Sequence, residues 1–289
     1  MKDTQDKWLY VISSKHRLID FNFADIWRYR DLLFLFVKRD IITAYKQTIL
    51  GPLWYVIQPL FTSVIFTLIF NNLGQIKTGS VDPFLFNLTG ITLWNYFKQC
   101  LTGTSNTFTK NQNIFGKVYF PRVIMPISVT ISNLLKLAIQ LLILVGFYIY
   151  FLAVQGDDLI FNLIYMWLLP LYVLLMALFG LGIGMLLSAM TTKYRDLTVL
   201  VSFGVQLLMY LSAVPYPLSE AKGKFPNLVG KIVEYNPLSQ IIEGFRFVVI
   251  NVGALELNKL IITSIICVSI FLVGLVVFNK TEKSFIDTV

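Results

Sequence analysis

Polar and apolar positions divide the chain into three regimes. Residues 1–24 are polar and mixed, with Trp8 to Ile12 as one short apolar run, and predict an N-terminal arm. In the second regime Ile26, Leu33, Phe36, Val37, Ile41 and Ala44 recur at helical spacing, bracketed by Arg28, Arg30, Asp31, Lys38, Arg39 and Asp40. Its unbroken apolar run, 32–37, is far too short to span a bilayer. With Trp27 and Tyr29 near its start, the stretch over 25–50 predicts an amphipathic helix lying in the membrane interface. Gly51-Pro52 ends it, because proline removes a backbone donor and restricts the residue before it. A new helix is expected from Pro52, where the missing N–H costs nothing.

The third regime is built from long apolar runs. Residues 53–70 carry no charged side chain, close to the ~20 residues that cross a bilayer. Six spans are predicted: 53–72, 84–101, 123–154, 159–190, 197–214 and 257–278. The third and fourth exceed a minimal span by about ten residues and should tilt or project. The expected fold is therefore an all-α integral membrane protein, its six-span domain covering 51–279 and a tail covering 280–289. Two connections are unusual. Residues 106–122 mix Lys110, Lys117 and Arg122 with Ile114, Phe115, Tyr119 and Phe120, which predicts a short helix with an apolar, basic face for a cytoplasmic partner. Residues 215–256 hold Pro215, Pro217, Pro226 and Pro237, and their apolar pieces are too short to cross. They predict short re-entrant helices in the outer leaflet, covered by protein or lining a cavity.

Composition agrees. Of 289 residues 56% are hydrophobic and 14% charged, with a mean hydropathy of +0.70; soluble domains carry roughly 25% charged residues. The net charge of +8 lies in segments flanking the apolar runs, which fits membrane orientation rather than nucleic-acid binding. With the N-terminus inside, 16 Lys and Arg fall on the inner side and 6 on the outer. Both termini are thus expected in the cytoplasm. No cleavable leader is read in the first 50 residues.

Several chemistries are excluded. No predicted span contains Asp or Glu, whereas proton- or sodium-driven carriers usually place ionisable groups at mid-membrane. No phosphate-binding G-x-x-x-x-G-K-[ST] loop occurs, since Gly116-Lys117 precedes Val118 and Gly230-Lys231 precedes Ile232. His16 is the sole histidine and sits beside Lys15 and Arg17, so no nucleophilic triad or metal cluster can form. Cys100 and Cys267 lie in apolar runs and read as small buried hydrophobes. An enzyme is not expected, nor any catalytic residue, metal or cofactor in this chain.

Besides Lys259 at the very start of the last span, two lysines fall inside predicted spans. Lys98 follows Trp94 and Tyr96 and stands nearer an interface. Lys136 is about 13 residues into span three; it either faces a cavity or phosphate, or snorkels or pairs with another subunit. The run Gly180-Leu181-Gly182-Ile183-Gly184 predicts close helix packing, not a nucleotide turn. Interfacial belts and core packing account for most of the aromatics. Trp54, Tyr55, Trp94, Tyr96, Phe97, Tyr210 and Tyr216, near the ends of spans one, two and five, are the candidates to line a passage, because aromatic faces suit sugar rings.

Five segments together resemble the transmembrane subunits of ABC-2-type exporters of O-antigen, capsule or teichoic-acid polymers. They are YKQTILGPLWYVIQPL at 45–60, WNYF at 94–97, GKVYFPRVIMP at 116–126, YRDLTVLVSFGVQLLMYLSAVPYPLSE at 194–220 and YNPLSQIIEGFR at 235–246. The resemblance implies a homodimer of six-span subunits in the inner membrane, joined to two copies of a separate ATPase that carries the ATP and magnesium. It implies that Asn113, Phe115, Lys117, Tyr119 and Arg122 couple to that ATPase, with Tyr194, Arg195 and Asp196 as a second contact. Residues 215–250 would be short helices beside the exit. Arg28, Arg30, Lys38 and Arg39 would attract the pyrophosphate of a lipid-linked glycan, although membrane orientation explains the same charges. Efflux of a small drug or lipid is the alternative in the same class, and a membrane scaffold without transport the alternative outside it. The glycan, its lipid carrier and the envelope type are not legible.

Overall fold

The computed structural model describes residues 23–46, 50–79, 81–115, 117–118, 120–155, 163–194, 196–220 and 226–286. The predicted arm, His16 and the end of the predicted tail lie outside the described residues. Every element named below is helical.

The interfacial stretch forms two helices, α1 (Phe23–Arg28) and α2 (Arg30–Lys46), divided at Tyr29. Phe36 is buried in a cluster with Phe108, Phe115, Phe120 and Phe278, and Ile26, Tyr29, Leu32 and Leu33 pack against it. Trp27, Phe34, Leu35 and Ile42 are exposed instead. On α2, spacings of 1, 7 and 8 residues put Phe34, Leu35 and Ile42 on one side at 3.6 residues per turn. The helix pair therefore carries two apolar faces. One face docks on the bundle, and the other is free to meet lipid.

At the elbow Gly51 takes φ +47°, a left-handed conformation that favours glycine. A 3-10 turn, Gly51–Leu53, leads into α3 (Trp54–Phe66), which continues as a π-helical segment, Thr67–Leu73. Asp82 then caps α4 (Pro83–Ser105): its carboxylate accepts from the Phe84 N–H at 2.8 Å, and Pro83 sits where its missing donor is harmless. After α5 (Thr107–Phe115) come α6 (Ile124–Gln155), a 3-10 turn, Leu163–Leu168, running into α7 (Leu169–Lys193), and α8 (Leu197–Tyr210). Two short helices, α9 (Asn227–Tyr235) and α10 (Pro237–Ile250), precede α11 (Leu257–Ile286).

Helices therefore cover all six segments expected to cross. Four are long and apolar enough to span a membrane by length and composition: Trp54–Leu73, Ile124–Val154, Ile164–Lys193 and Leu257–Thr281. The other two differ for physical reasons. α4 is the central helix, packed on α3, α6, α7, α8 and α10, so protein rather than lipid covers most of it. That setting tolerates polar side chains: Thr89 and Thr92 donate to the carbonyls of Leu85 and Leu88, each at 2.8 Å. Asn87 reaches Asn71 Oδ1 at 2.8 Å and Thr67 Oγ1 at 3.1 Å on the π-helical segment. α8 was expected to run to Val214 but ends at Tyr210, and at about 1.5 Å per residue its 14 residues reach only about 21 Å. Residues 211–216 follow as an irregular turn whose backbone groups are met by side chains described below.

The glycine run packs as expected. A Cβ on Gly180 or Gly184 would press on Phe97, Cys100, Leu101 and Thr104 of α4. Gly182 points to the opposite side, where α7 meets α11 backbone to backbone beside Phe271 and Gly274. The alternation of glycines two apart thus lets one helix approach two neighbours closely.

Candidate functional site

Three stations run from the α2–α5 end of the bundle to the α9–α10 end. The first is α5 with the stretch to α6. Phe108 stacks on Phe278 of α11 with centroids 4.6 Å apart, and Phe115 packs 5.9 Å from Phe108 and 5.8 Å from Phe120. Arg122 lies 5.1 Å over the Phe115 ring. These contacts turn Phe115 and Arg122 inward, and both are only 7% exposed. In this subunit both side chains pack inward and hold the element in place. The opposite side of α5, with Thr109, Lys110, Gln112 and Asn113, is exposed together with Lys117 and Val118. Tyr194 and Asp196 are exposed as well, with the Lys193 ammonium 5.3 Å from the Tyr194 ring. Thr191 joins this second patch to α4 by donating to the Ser105 carbonyl at 2.7 Å. Tyr119 and Arg195 lie outside the described residues.

The second station is at α2, α3 and α6. Arg28, Arg30, Lys38 and Arg39 are all exposed on α1 and α2. Arg39 donates through Nε at 3.0 Å and Nη2 at 2.8 Å to the same Asp40 oxygen, and Arg30 stands 3.9 Å from Asp31. Lys136 sits half-buried on α6, donating to Asn133 Oδ1 at 2.9 Å with its ammonium 5.3 Å from the Tyr55 ring. Of the expected passage aromatics, Trp54 is half exposed, Tyr55 partly so, and Tyr210 lies at the surface 6.4 Å from Phe70. Trp94, Tyr96, Phe97 and Tyr216 are 0–5% exposed inside the subunit's own packing. None of these four is open at the surface of the subunit.

The third station is the cap formed by α9, α10 and residues 211–216, where the sequence reading expected short helices but missed the buried arginine. Arg246 of α10 is fully buried. Its Nη1 donates to the Ala213 carbonyl at 2.8 Å, its Nη2 to the Val214 carbonyl, and its guanidinium lies 3.7 Å over Phe86 of α4. Ala213 itself adopts φ +50°, rare for a residue with a Cβ. Asn236 adds a bond from Nδ2 to the Leu211 carbonyl at 3.0 Å, and Tyr216 donates through its hydroxyl to the Tyr210 carbonyl. The carbonyls left over at the end of α8 are thus satisfied by side chains from the cap. Glu243 lies one turn before Arg246, only 9% exposed. Burial raises its carboxyl above the usual range, while the nearby guanidinium and the Leu218 N–H oppose that shift. Arg246 had been counted as an outer loop charge; it is a core residue. A Glu-x-x-Arg pair inside the short apolar run 241–250 was the available signal. A Cβ on Gly90 of α4 would collide with the Arg246 guanidinium. Gly90→Ala is therefore expected to lower thermal stability in detergent, by less than loss of Arg246 itself; an unchanged melting curve would remove the close approach from the account.

Long apolar helices around a polar central helix define a multi-pass membrane protein. Residues 31–250 match the family described as ABC-2 type transporter, and the chain belongs to it. It is accordingly a transporter membrane subunit, and the family implies a separate ATPase subunit as partner. The chain is 29% identical over 257 residues to the O-antigen export system permease protein RfbA of Klebsiella pneumoniae, covering 89% of this chain and 94% of that protein. A protein of the same description from Myxococcus xanthus is 22% identical, covering 92% and 98%. The capsule polysaccharide export inner-membrane protein CtrC of Neisseria meningitidis serogroup B is 23% identical over 216 residues, covering 72% and 74%.

Proposed function

We propose that this chain is the permease subunit of an exporter that moves a lipid-linked surface polysaccharide, of O-antigen or capsule type, across the cytoplasmic membrane. The observation that carries the reading is similarity along nearly the whole chain to O-antigen export permeases, joined by a capsule export relative. These names favour a glycan over a small drug or lipid. The absence of a phosphate-binding loop from the sequence supports a partner that hydrolyses ATP.

In this proposal α3, α4, α6, α7, α8 and α11 cross the membrane, both termini are cytoplasmic, and two copies assemble with two ATPase subunits. Asn113, Lys117, Tyr194 and Asp196 meet the ATPase, with Tyr119 and Arg195 completing the expected set and Phe115 and Arg122 supporting it from behind. Arg28, Arg30, Lys38 and Arg39 draw the anionic headgroup of the carrier lipid to the cytoplasmic entrance. Movement of the ATPase pushes α5 and α2, and a passage opens between subunits toward the α9–α10 cap.

Deletion of the chain is expected to leave glycan inside the cell and none at the surface. Loss of drug resistance with surface polymer intact would overturn the reading. For the docking face, Lys117→Glu combined with Asn113→Ala is expected to lower transport-linked ATP hydrolysis about tenfold, equivalent to about 1.4 kcal/mol of coupling. The purified complex should keep its helix content. Undiminished hydrolysis would show that the ATPase sits elsewhere.

A further inference from the structure

We infer that one face of α4, carrying Asn95, Lys98, Gln99 and Thr102 and ending at the cap residue Asn106, is the wet wall along which the glycan passes. Leu88 and Ile91, farther along the same face, close it toward the α9–α10 cap. The inference rests on the export reading only for the identity of the cargo. Positions 88, 91, 95, 98, 102 and 106 follow one another three or four residues apart, so they stack along a single side of the helix. The character of that side changes midway. Leu88 and Ile91 are apolar and 1% exposed, whereas Asn95, Gln99, Thr102 and Asn106 are partly exposed and Lys98 is exposed. Asn95 is the thirteenth of the 23 residues of α4, so the change falls near the middle of a helix about 34 Å long. At the other end the face runs out into exposed Thr109 and Lys110 of α5.

Lipid is a poor cover for such a surface. The side chains of Asn95, Lys98 and Gln99 make no hydrogen bond or ion pair among the described residues, and Gln99 Oε1 is buried without a partner. Polar side chains within a span face protein or a water-filled cavity. A lysine alone can snorkel along its stem, but Asn95 and Gln99 are too short to do so. Chemistry selects the occupant. Amides and hydroxyls both donate and accept, which matches the hydroxyls of a sugar chain and asks no charge of it. Thr102 and Asn106 donate to the carbonyls of Lys98 and Thr102, at 2.7 and 3.0 Å, and keep their own oxygen lone pairs for a ligand. Trp94, Tyr96 and Phe97 interleave with this face in sequence yet are buried. The open wall is thus amide, hydroxyl and ammonium rather than aromatic.

The test places single cysteines along the face in the complete exporter, chain and ATPase together. It measures their labelling by a charged, membrane-impermeant thiol reagent in inside-out vesicles. Cys100 and Cys267 are buried, which keeps the background low. Asn95→Cys and Thr102→Cys are expected to react at least tenfold faster than Leu88→Cys and Ile91→Cys. Asn95→Cys should also label severalfold more slowly in vesicles from cells that make the polymer than in vesicles from cells that do not, because cargo on the face shields it. Labelling of Asn95→Cys no faster than that of Leu88→Cys overturns the proposal, whether lipid or a second copy of the chain is the cover. Equal rates with and without polymer overturn the glycan as occupant. Fast labelling in a protein whose deletion spares surface polymer leaves the wet face standing and fails the export reading instead. Should Asn95→Cys not fold, Lys98→Cys, at the exposed position one turn away, supplies the same comparison.

Discussion

Gly182→Leu is expected to abolish accumulation of folded protein. A Cβ at this position would lie 2.8 Å from both the backbone nitrogen and the Cα of Phe271, and the facing glycine on α11, Gly274, has no room for one either. Because the obstacle is backbone, no rotamer change relieves it, and α7 must move away from α11. Overpacking in a core costs about 1–3 kcal/mol when side chains can give way, so the cost here should reach or exceed the top of that range. The separation would also pull on the cluster of Leu181, Met185, Leu275 and Phe278 that supports α5. The measurement is the monodisperse fraction after detergent extraction, with its melting temperature. Gly204→Leu on α8, where nothing lies within 4 Å of the added Cβ, should be tolerated. Equal yields for the two variants would show that α7 and α11 are not in close contact.

Arg246→Met carries the second large effect. The substitution removes the donors to the Ala213 and Val214 carbonyls, the cation over Phe86 and the guanidinium near buried Glu243, to which Lys259 is then the remaining positive neighbour. Each hydrogen bond from a charged donor contributes about 1.5–3 kcal/mol, so losing both should cost several kcal/mol. Arg246→Lys should recover little, since a single ammonium cannot span two carbonyls and cover a ring as the planar guanidinium does. Adding Glu243→Gln to Arg246→Met should restore part of the loss, because the carboxyl left without its guanidinium is then gone. Sign follows from the raised Glu243 pKa. A carboxyl held above its unfolded value favours the fold at low pH, and that contribution fades as pH rises through the folded pKa. The wild type should lose more stability on going from acid to neutral pH than Glu243→Gln does. Thermal unfolding across that range reads both effects, and a Glu243→Gln protein with an unchanged pH profile would remove the carboxyl from the account. The functional expectation is that the end of α8 loses its anchor to α4 and α10, so export fails while the ATPase still copurifies.

These expectations also mark where sequence reasoning reached and where it stopped. Apolar runs, the Gly51-Pro52 elbow and the proline-rich segment 215–256 made the helical class and the order of the apolar segments legible, because lipid demands long hydrocarbon stretches and proline forbids continuous ones. The glycine run was readable as helix packing for the same reason: nothing larger allows backbones to meet. Direction was harder. Phe115, Arg122, Trp94, Tyr96, Phe97 and Tyr216 carry residue types suited to binding, and only their burial showed that they face the interior of the subunit.

Membrane residence and helical class are properties of composition and local order, and the chain alone determined them. Which side of each helix meets lipid, partner or protein depends on residues far apart in the chain. Arg246 finds its partners 32 and 33 positions away, Lys136 finds Tyr55 across 81, and Gly182 meets Phe271 across 89. No periodicity encodes such meetings. They arise when helices of given length pack around α4, whose polar side chains become harmless only once every neighbour is in place.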